Sequence, residues 1–251
     1  MTVNIKLTIQ YDGTAYNGWQ TQRGQTGSRT VQSELKRAVE TIVKEPVVLI
    51  GAGRTDSGVH ARGQVANFLT SRPIPEDKWM AALNSLLRDD IRIVAAQEVS
   101  LDFHAQYWAT KKMYCFYILN SEYADVFLRR YSLHCSQPLD VESMNRAAER
   151  LKGTRNFQSF CSSGSSVKSF ERTVDQAEVF PQGNLLVFRI TANGFLYKMV
   201  RTIVGTLLEI GKGRQAPEWI DNIIAARDRV QAGPTAPAHG LVLEKVWYPK
   251  G

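Results

Sequence analysis

Apolar residues in this chain change period from two to about 3.6 and back again, and the order of those changes limits the fold more than any other feature. In IKLTIQY, Ile5, Leu7, Ile9 and Tyr11 alternate with Lys6, Thr8 and Gln10, the pattern of a half-buried strand. The stretch DGTAYNGWQTQRGQTGSRT that follows reads as a long polar loop. Thr30 then stands where an N-cap is needed, ahead of Val31, Leu35, Val39, Ile42 and Val43 at helical spacing, and Lys44, Glu45 and Pro46 end the helix. PVVLI and GQVANFL read as strands, DKWMAALNSLL as a second helix and IRIVAAQEV as a further strand.

A similar series begins after Phe103. MYCFYIL reads as a strand, Met144, Ala148 and Leu151 behind Asp140 as a helix, RTVDQAEVF and LLVFRIT as strands, and FLYKMVRTIVGTLLEI as a helix. The last segment passes from a Pro/Gly/Ala loop into a strand starting near Leu241, expected to close the C-terminal sheet. The expected class is α+β, built from two related halves, 1–103 and 104–251, with no Pro- or Gly-rich linker between them. A cleft between such halves is the natural place for a site.

Lys and Arg number 31 against 24 Asp and Glu, a formal charge of +7, and such a field favours polyanionic partners. Charge alone does not separate a nucleic-acid partner from simple solubility. Cys115, Cys135 and Cys161 are odd in number and form no C-x-x-C pair, which argues against a disulfide framework or a zinc site. MTVNIKLTIQYDG enters the first strand pattern without a signal h-region, and no run of eighteen apolar residues occurs, so a soluble, cytoplasmic protein with no membrane partner is expected.

The chemistry concentrates in GAGRTDSGVHARG, residues 51–63, where Asp56 stands among glycines and arginines directly after an apolar run. A phosphate-binding loop needs G-x-x-x-x-G-K-[ST], and a dinucleotide fingerprint needs a third glycine where Asp56 stands; neither fits. Asp56 and His60 are four residues apart, but no H-E-x-x-H pattern joins them, so no metal is expected. SSGSS at 162–166 reads as a loop without a nucleophile elbow. Arg54 and Arg62 flank Asp56 and would favour its ionised form, which suits a nucleophile or base, while the glycines would let the chain turn and a bulky ligand approach. The competing reading makes Asp56 an Asx-turn residue of a hairpin, paired with Arg54 for structure.

GAGRTDSGVHARGQV resembles the defining motif of the TruA-type tRNA pseudouridine synthases. YDGTAYNGWQ, FHAQYWATKKMYCF, NFQSF, RTV, ANGFLYKMVRTIVGTLLE and GPTAPAHGLVL resemble further blocks of that family, in its order and over nearly the full chain. The resemblance implies the pseudouridine synthase fold, with two α+β halves and mixed sheets flanking a basic cleft. It implies a homodimeric enzyme that isomerises uridine to pseudouridine at positions 38 to 40 of the tRNA anticodon stem-loop, without a cofactor. It assigns catalysis to Asp56, base stacking to Tyr114, a place beside the carboxylate to Arg201, an apolar wall to Leu241 and an RNA contact near the flipped base to Arg54.

Each of these has a plainer alternative. Tyr114 lies in a strand whose aromatics ordinarily fill a core, Arg201 falls off its helix's apolar stripe and could be merely solvated, and Leu241 could be a core residue. Gln106 stands where family members commonly carry Arg, which would weaken a phosphate contact there; Ser57 replaces a common Ala, and Arg88 a common Pro. A non-catalytic tRNA-binding module of the same fold is the alternative function.

Overall fold

The computed structural model describes residues 2–20, 29–164 and 167–249; part of the loop expected over 12–30 and of SSGSS lies outside them. The chain forms two compact units, residues 1–110 with 242–251, and residues 111–241.

In the first unit, β1 (Val3–Tyr11) pairs antiparallel with β3 (His60–Thr70) and β4 (Ile91–Val99), and the short β2 (Ile50–Gly51) also pairs with β3. Ile5, Leu7, Ile9 and Tyr11 are buried as their alternation requires. β3 is buried on both faces, the mark of a central strand. α1 (Val31–Val43) and α2 (Trp79–Leu86) contact each other. Thr30 caps α1: its Oγ1 accepts from the Ser33 amide at 3.2 Å, and Ser33 Oγ accepts from the Thr30 amide at 3.2 Å. Lys44 ends the helix in the left-handed conformation, with φ 56°.

PVVLI is a strand only at its last residue. The Val47 amide bonds Glu40 Oε1 at 3.1 Å, and the Leu49 carbonyl accepts from Gln32 Nε2 at 2.8 Å, so side chains of α1 take backbone groups that a longer ladder would need. A buried amide pair fixes the end of the unit: Asn67 Nδ2 donates to Asn4 Oδ1 at 2.9 Å, Asn67 Oδ1 accepts from the Ala105 amide at 2.9 Å, and Asn4 Nδ2 donates to the Phe103 carbonyl at 3.0 Å.

In the second unit, β5 (Lys111–Asn120) pairs in parallel with β6 (Leu133–Cys135), α3 (Val141–Glu149) follows, and β7 (Gly153–Asn156), β8 (Glu171–Gln182) and β9 (Leu185–Ala192) complete an antiparallel sheet in the order β5-β9-β8-β7. Asp140 caps α3, accepting from the Ser143 amide at 3.0 Å, and Met144, Ala147 and Ala148 are buried. α4 (Met199–Gly211) starts four residues later than its apolar pattern suggests, because Lys198 takes a left-handed conformation with φ 58° that breaks the helical path. α5 (Trp219–Ala226) has no counterpart in the sequence reading; only Ile220 and Ile223 of it are buried, too few to set a period.

The last strand, β10 (Leu241–Trp247), pairs in parallel with β3 at Val242–His60 and Leu243–Ala61. The C-terminal segment therefore belongs with the first unit, where the sequence reading placed it with the second half; a parallel pairing across some 180 residues leaves no local signal. Gly63 makes room for it, since a Cβ there would lie 2.4 Å from the Glu244 carbonyl oxygen.

Gly205 locks the second unit in the same manner: a Cβ there would lie 1.7 Å from the Pro234 oxygen. Helix propensity alone would make Gly205→Ala stabilising by about 1 kcal/mol. The contact predicts the opposite sign, a loss of about 1–3 kcal/mol, read as a lower thermal midpoint of the purified variant.

Candidate active site

Asp56 opens a turn whose closing bond runs from the Val59 amide to the Asp56 carbonyl, at 3.1 Å. Gly58, third in that turn, has φ 78°, which favours glycine there. Asp56 is half-buried, Thr55 before it is buried and Ser57 after it is exposed. The turn is held from outside by the segment that follows β1. The Trp19 amide donates to the Thr55 carbonyl at 3.1 Å, the Gly58 amide to the Tyr16 carbonyl at 3.3 Å, and Ser57 Oγ to that same carbonyl at 3.2 Å. Gly18, at φ 80°, lies so close that a Cβ would sit 2.4 Å from the Thr55 oxygen. Ser57 thus ties the turn to its neighbour, a part its sequence context did not suggest.

Behind the turn lies a buried aromatic wall. Tyr11 Oη and Thr55 Oγ1 are 2.8 Å apart, and Tyr11 and Trp19 have ring centroids 6.1 Å apart. Trp19 is buried against Gly51, where a Cβ would lie 2.3 Å from Nε1. Gly51 and Gly63 therefore admit the protein's own chain, whereas the sequence reading gave the motif's glycines to ligand approach. Tyr16, also buried, donates from Oη to Asp90 Oδ1 at 2.5 Å. Burial first, and the Asp90 hydrogen bond next, raise this phenol above its ordinary range; burial does the same to Tyr11, so both stay protonated.

Arg54 Nε donates to Gln20 Oε1, and Arg62 Nη1 lies 3.1 Å from Glu244 Oε1. Arg54 itself is exposed. His60 is buried, with Nδ1 accepting from the Gly13 amide at 3.0 Å, so it supports the segment that clamps Asp56. Gln106 is exposed in the same unit, next to His104, whose ring stacks on Tyr107 at 4.2 Å.

The remaining residues singled out from sequence lie in the second unit. Tyr114 is buried on β5 opposite Ile190, and Phe195 meets its ring edge-on with centroids 5.0 Å apart. Arg201, in the first turn of α4, is half-buried; its Nε donates to the Ala236 carbonyl at 2.8 Å, and its own carbonyl accepts from the Ala236 amide at 3.0 Å. Leu241 is buried where β10 begins. The same residues 233–237 that pack on Gly205 thus orient the guanidinium.

A family model described as tRNA pseudouridine synthase matches residues 7–108 and 147–249. The chain belongs to the tRNA pseudouridine synthase family. One model fitting two segments makes the two α+β regions related in sequence, and the family's fold is the fold described above. Curated relatives named tRNA pseudouridine synthase A agree. One from Moorella thermoacetica is 52% identical over 97% of this chain and 99% of its own length. Another from Acetivibrio thermocellus is 49% identical over 98% and 99%, and one from Syntrophomonas wolfei 46% over 98% and 98%. Asp56, Arg201 and Leu241 fall inside the matched family segments, and Tyr114 falls between them. Among the described residues, no helix is long and apolar enough to cross a membrane.

The buried Tyr11–Thr55 hydroxyl pair adds a side-chain tie between β1 and the turn of Asp56. Tyr11→Phe leaves Thr55 without that partner and is expected to cost about 1–2 kcal/mol, a shift of a few degrees in the thermal midpoint measured by calorimetry.

Proposed function

We propose that this chain isomerises uridine to pseudouridine in the anticodon stem-loop of tRNA, at positions 38 to 40, with Asp56 as the catalytic carboxylate. The observation that carries the reading is the turn of Asp56: a half-buried carboxylate on backbone fixed by Trp19, Tyr16 and the buried Thr55. A purely phosphate-binding surface gains nothing from an acid held so firmly.

The reaction breaks the C1′–N1 glycosidic bond, joins C1′ to C5, releases the C5 proton to solvent and returns a proton to N1. It is redox-neutral and draws on no cofactor. A stacked uridine hides its glycosidic bond, so the nucleotide must be extruded at a cost of a few kcal/mol. Tyr114 is assigned the stacking face, worth about 1–3 kcal/mol and so able to offset much of that cost. Arg201 is assigned to the carboxylate as its counter-cation, Leu241 to the apolar wall that limits water, and Arg54 and Gln106 to the RNA backbone near the flipped base. Asp56 either attacks covalently, at C1′ or at C6, or removes the ribose 2′-proton to give a glycal; both need an ionised carboxylate on rigid backbone. The formal charge of +7 suits tRNA as partner. The working state is assigned as a cytoplasmic homodimer.

Tritium release from tRNA labelled at uridine C5 tests the reading. Asp56→Asn is expected to lower the rate by about 1,000-fold or more while tRNA affinity stays within a few-fold. A rate within about tenfold of wild type removes Asp56 from the chemistry.

A further inference from the structure

Residues 103–108 form a turn tied into the first unit through its own backbone. The Phe103 carbonyl accepts from Asn4 Nδ2 at 3.0 Å and from Asn67 Nδ2 at 3.2 Å, the Ala105 amide donates to Asn67 Oδ1 at 2.9 Å, and the Ala105 carbonyl accepts from Tyr248 Oη at 2.8 Å. The Trp108 amide closes the turn on the His104 carbonyl at 3.0 Å. The amides of Gln106 and Tyr107 both donate to His104 Nδ1, at 3.2 Å each, which fixes the imidazole and leaves its proton on Nε2. Phe103 anchors the turn in the core, its ring centroid 5.6 Å from that of Trp108 and 5.0 Å from that of Tyr248.

This rigid turn presents one ring to solvent. Tyr107 lies on the His104 imidazole, with centroids 4.2 Å apart and planes inclined by 20°, yet the residue is 78% exposed. The histidine covers one face, so the exposure belongs to the other face and the ring edge. Among the described residues, neither the Tyr107 hydroxyl nor the exposed Gln106 side chain makes a hydrogen bond. A tyrosine on a loose loop must be ordered when its ligand arrives, whereas a stack on a fixed imidazole orders it beforehand. The local charge suits a polyanion: residues 103–112 contain no carboxylate, and Lys6 Nζ lies 5.0 Å from the Tyr248 ring and 5.5 Å from the Phe103 ring. An open aromatic face in such surroundings is what an unpaired nucleobase stacks on, since every base has a π-face of its own.

We propose that Tyr107, backed by His104, is a stacking platform for an unpaired base of the bound tRNA other than the target uridine, whose ring partner is assigned to Tyr114. The inference rests on tRNA as the substrate proposed above. Gln106, assigned above to the RNA backbone, precedes Tyr107 on the same turn, so one nucleotide meets the turn through both its backbone and its base. Tyr107 touches no reacting atom. It fixes which stretch of the RNA the first unit holds.

The test is a binding cycle between Tyr107 variants and tRNA assembled with single abasic nucleotides at its unpaired positions. Tyr107→Ala is expected to raise the Kd for tRNA about tenfold. Tyr107→Phe and Tyr107→Trp stay within about twofold of wild type, while Tyr107→Leu, apolar but without a π-face, behaves like alanine. The logarithmic salt dependence stays as in wild type, because stacking releases no counterions; loss of a phosphate contact would flatten it by about 0.7 to 0.9. One abasic position raises the wild-type Kd comparably and makes wild type and Tyr107→Ala alike.

An unchanged Kd for Tyr107→Ala, a penalty that persists on every abasic tRNA, full affinity in Tyr107→Leu, or a flattened salt dependence overturns the proposal. So does a sedimentation coefficient that falls to that of a smaller assembly in Tyr107→Ala, which would give the ring to a second copy of the chain. If Tyr107→Ala does not fold, the wild-type abasic scan decides, and the absence of any sensitive unpaired nucleotide overturns it. Every arm reads binding, so failure of the proposed chemistry is seen separately, as wild-type protein that binds tRNA and releases no tritium.

Discussion

The structure of the first unit depends on a set of backbone hydrogen bonds between two loops, residues 16–19 and 55–58. Neither loop is regular, so neither can satisfy its polar groups alone. Each supplies what the other lacks: the Thr55 carbonyl takes the Trp19 amide, and the Tyr16 carbonyl takes the Gly58 amide and the Ser57 hydroxyl. The buried rings of Tyr11, Tyr16 and Trp19 remove this exchange from water, which raises the cost of opening it. Gly18 sets the separation, for any side chain there would push the loops apart.

A second lock of the same kind operates in the other unit. Gly205 lets residues 233–237 lie against α4, and the bonds between Arg201 and Ala236 run in both directions. Each unit thus presents a charged side chain held by a neighbouring irregular segment: Asp56 on a turn, Arg201 in the first turn of α4. Rigidity of this sort is what positioning a reactive group requires, since an error of about 1 Å in the placement of reacting atoms can cost a factor of 100 in rate.

Much of the scaffold was legible in the sequence because it follows local rules. Thr30 and Asp140 are N-caps in fact as in pattern, Lys44 ends α1, and β10 begins at Leu241. What escaped has non-local causes. The burial of Tyr16 and Trp19 within a Gly- and Thr-rich stretch has no period, since backbone bonds to a distant loop hold them. The pairing of β10 with β3 is invisible to any window of sequence. Gly51 and Gly63 look alike in the motif and serve different neighbours, Trp19 in one case and the β10 backbone in the other. At the candidate site, the family blocks marked Asp56, Tyr114 and Arg201, whereas the loop-to-loop bonds that hold the turn of Asp56 join segments some forty residues apart and have no local signal.

The central claim is that the clamp between the two loops, and not the mere presence of Asp56, makes the carboxylate competent. Gly18→Ala tests it most directly, because it leaves every side chain of the proposed site in place. Single-turnover pseudouridine formation should fall by about 100-fold or more, with the far-ultraviolet circular dichroism of the folded protein and a tRNA affinity within about threefold. A rate within about twofold of wild type in that folded, tRNA-binding variant would contradict the account.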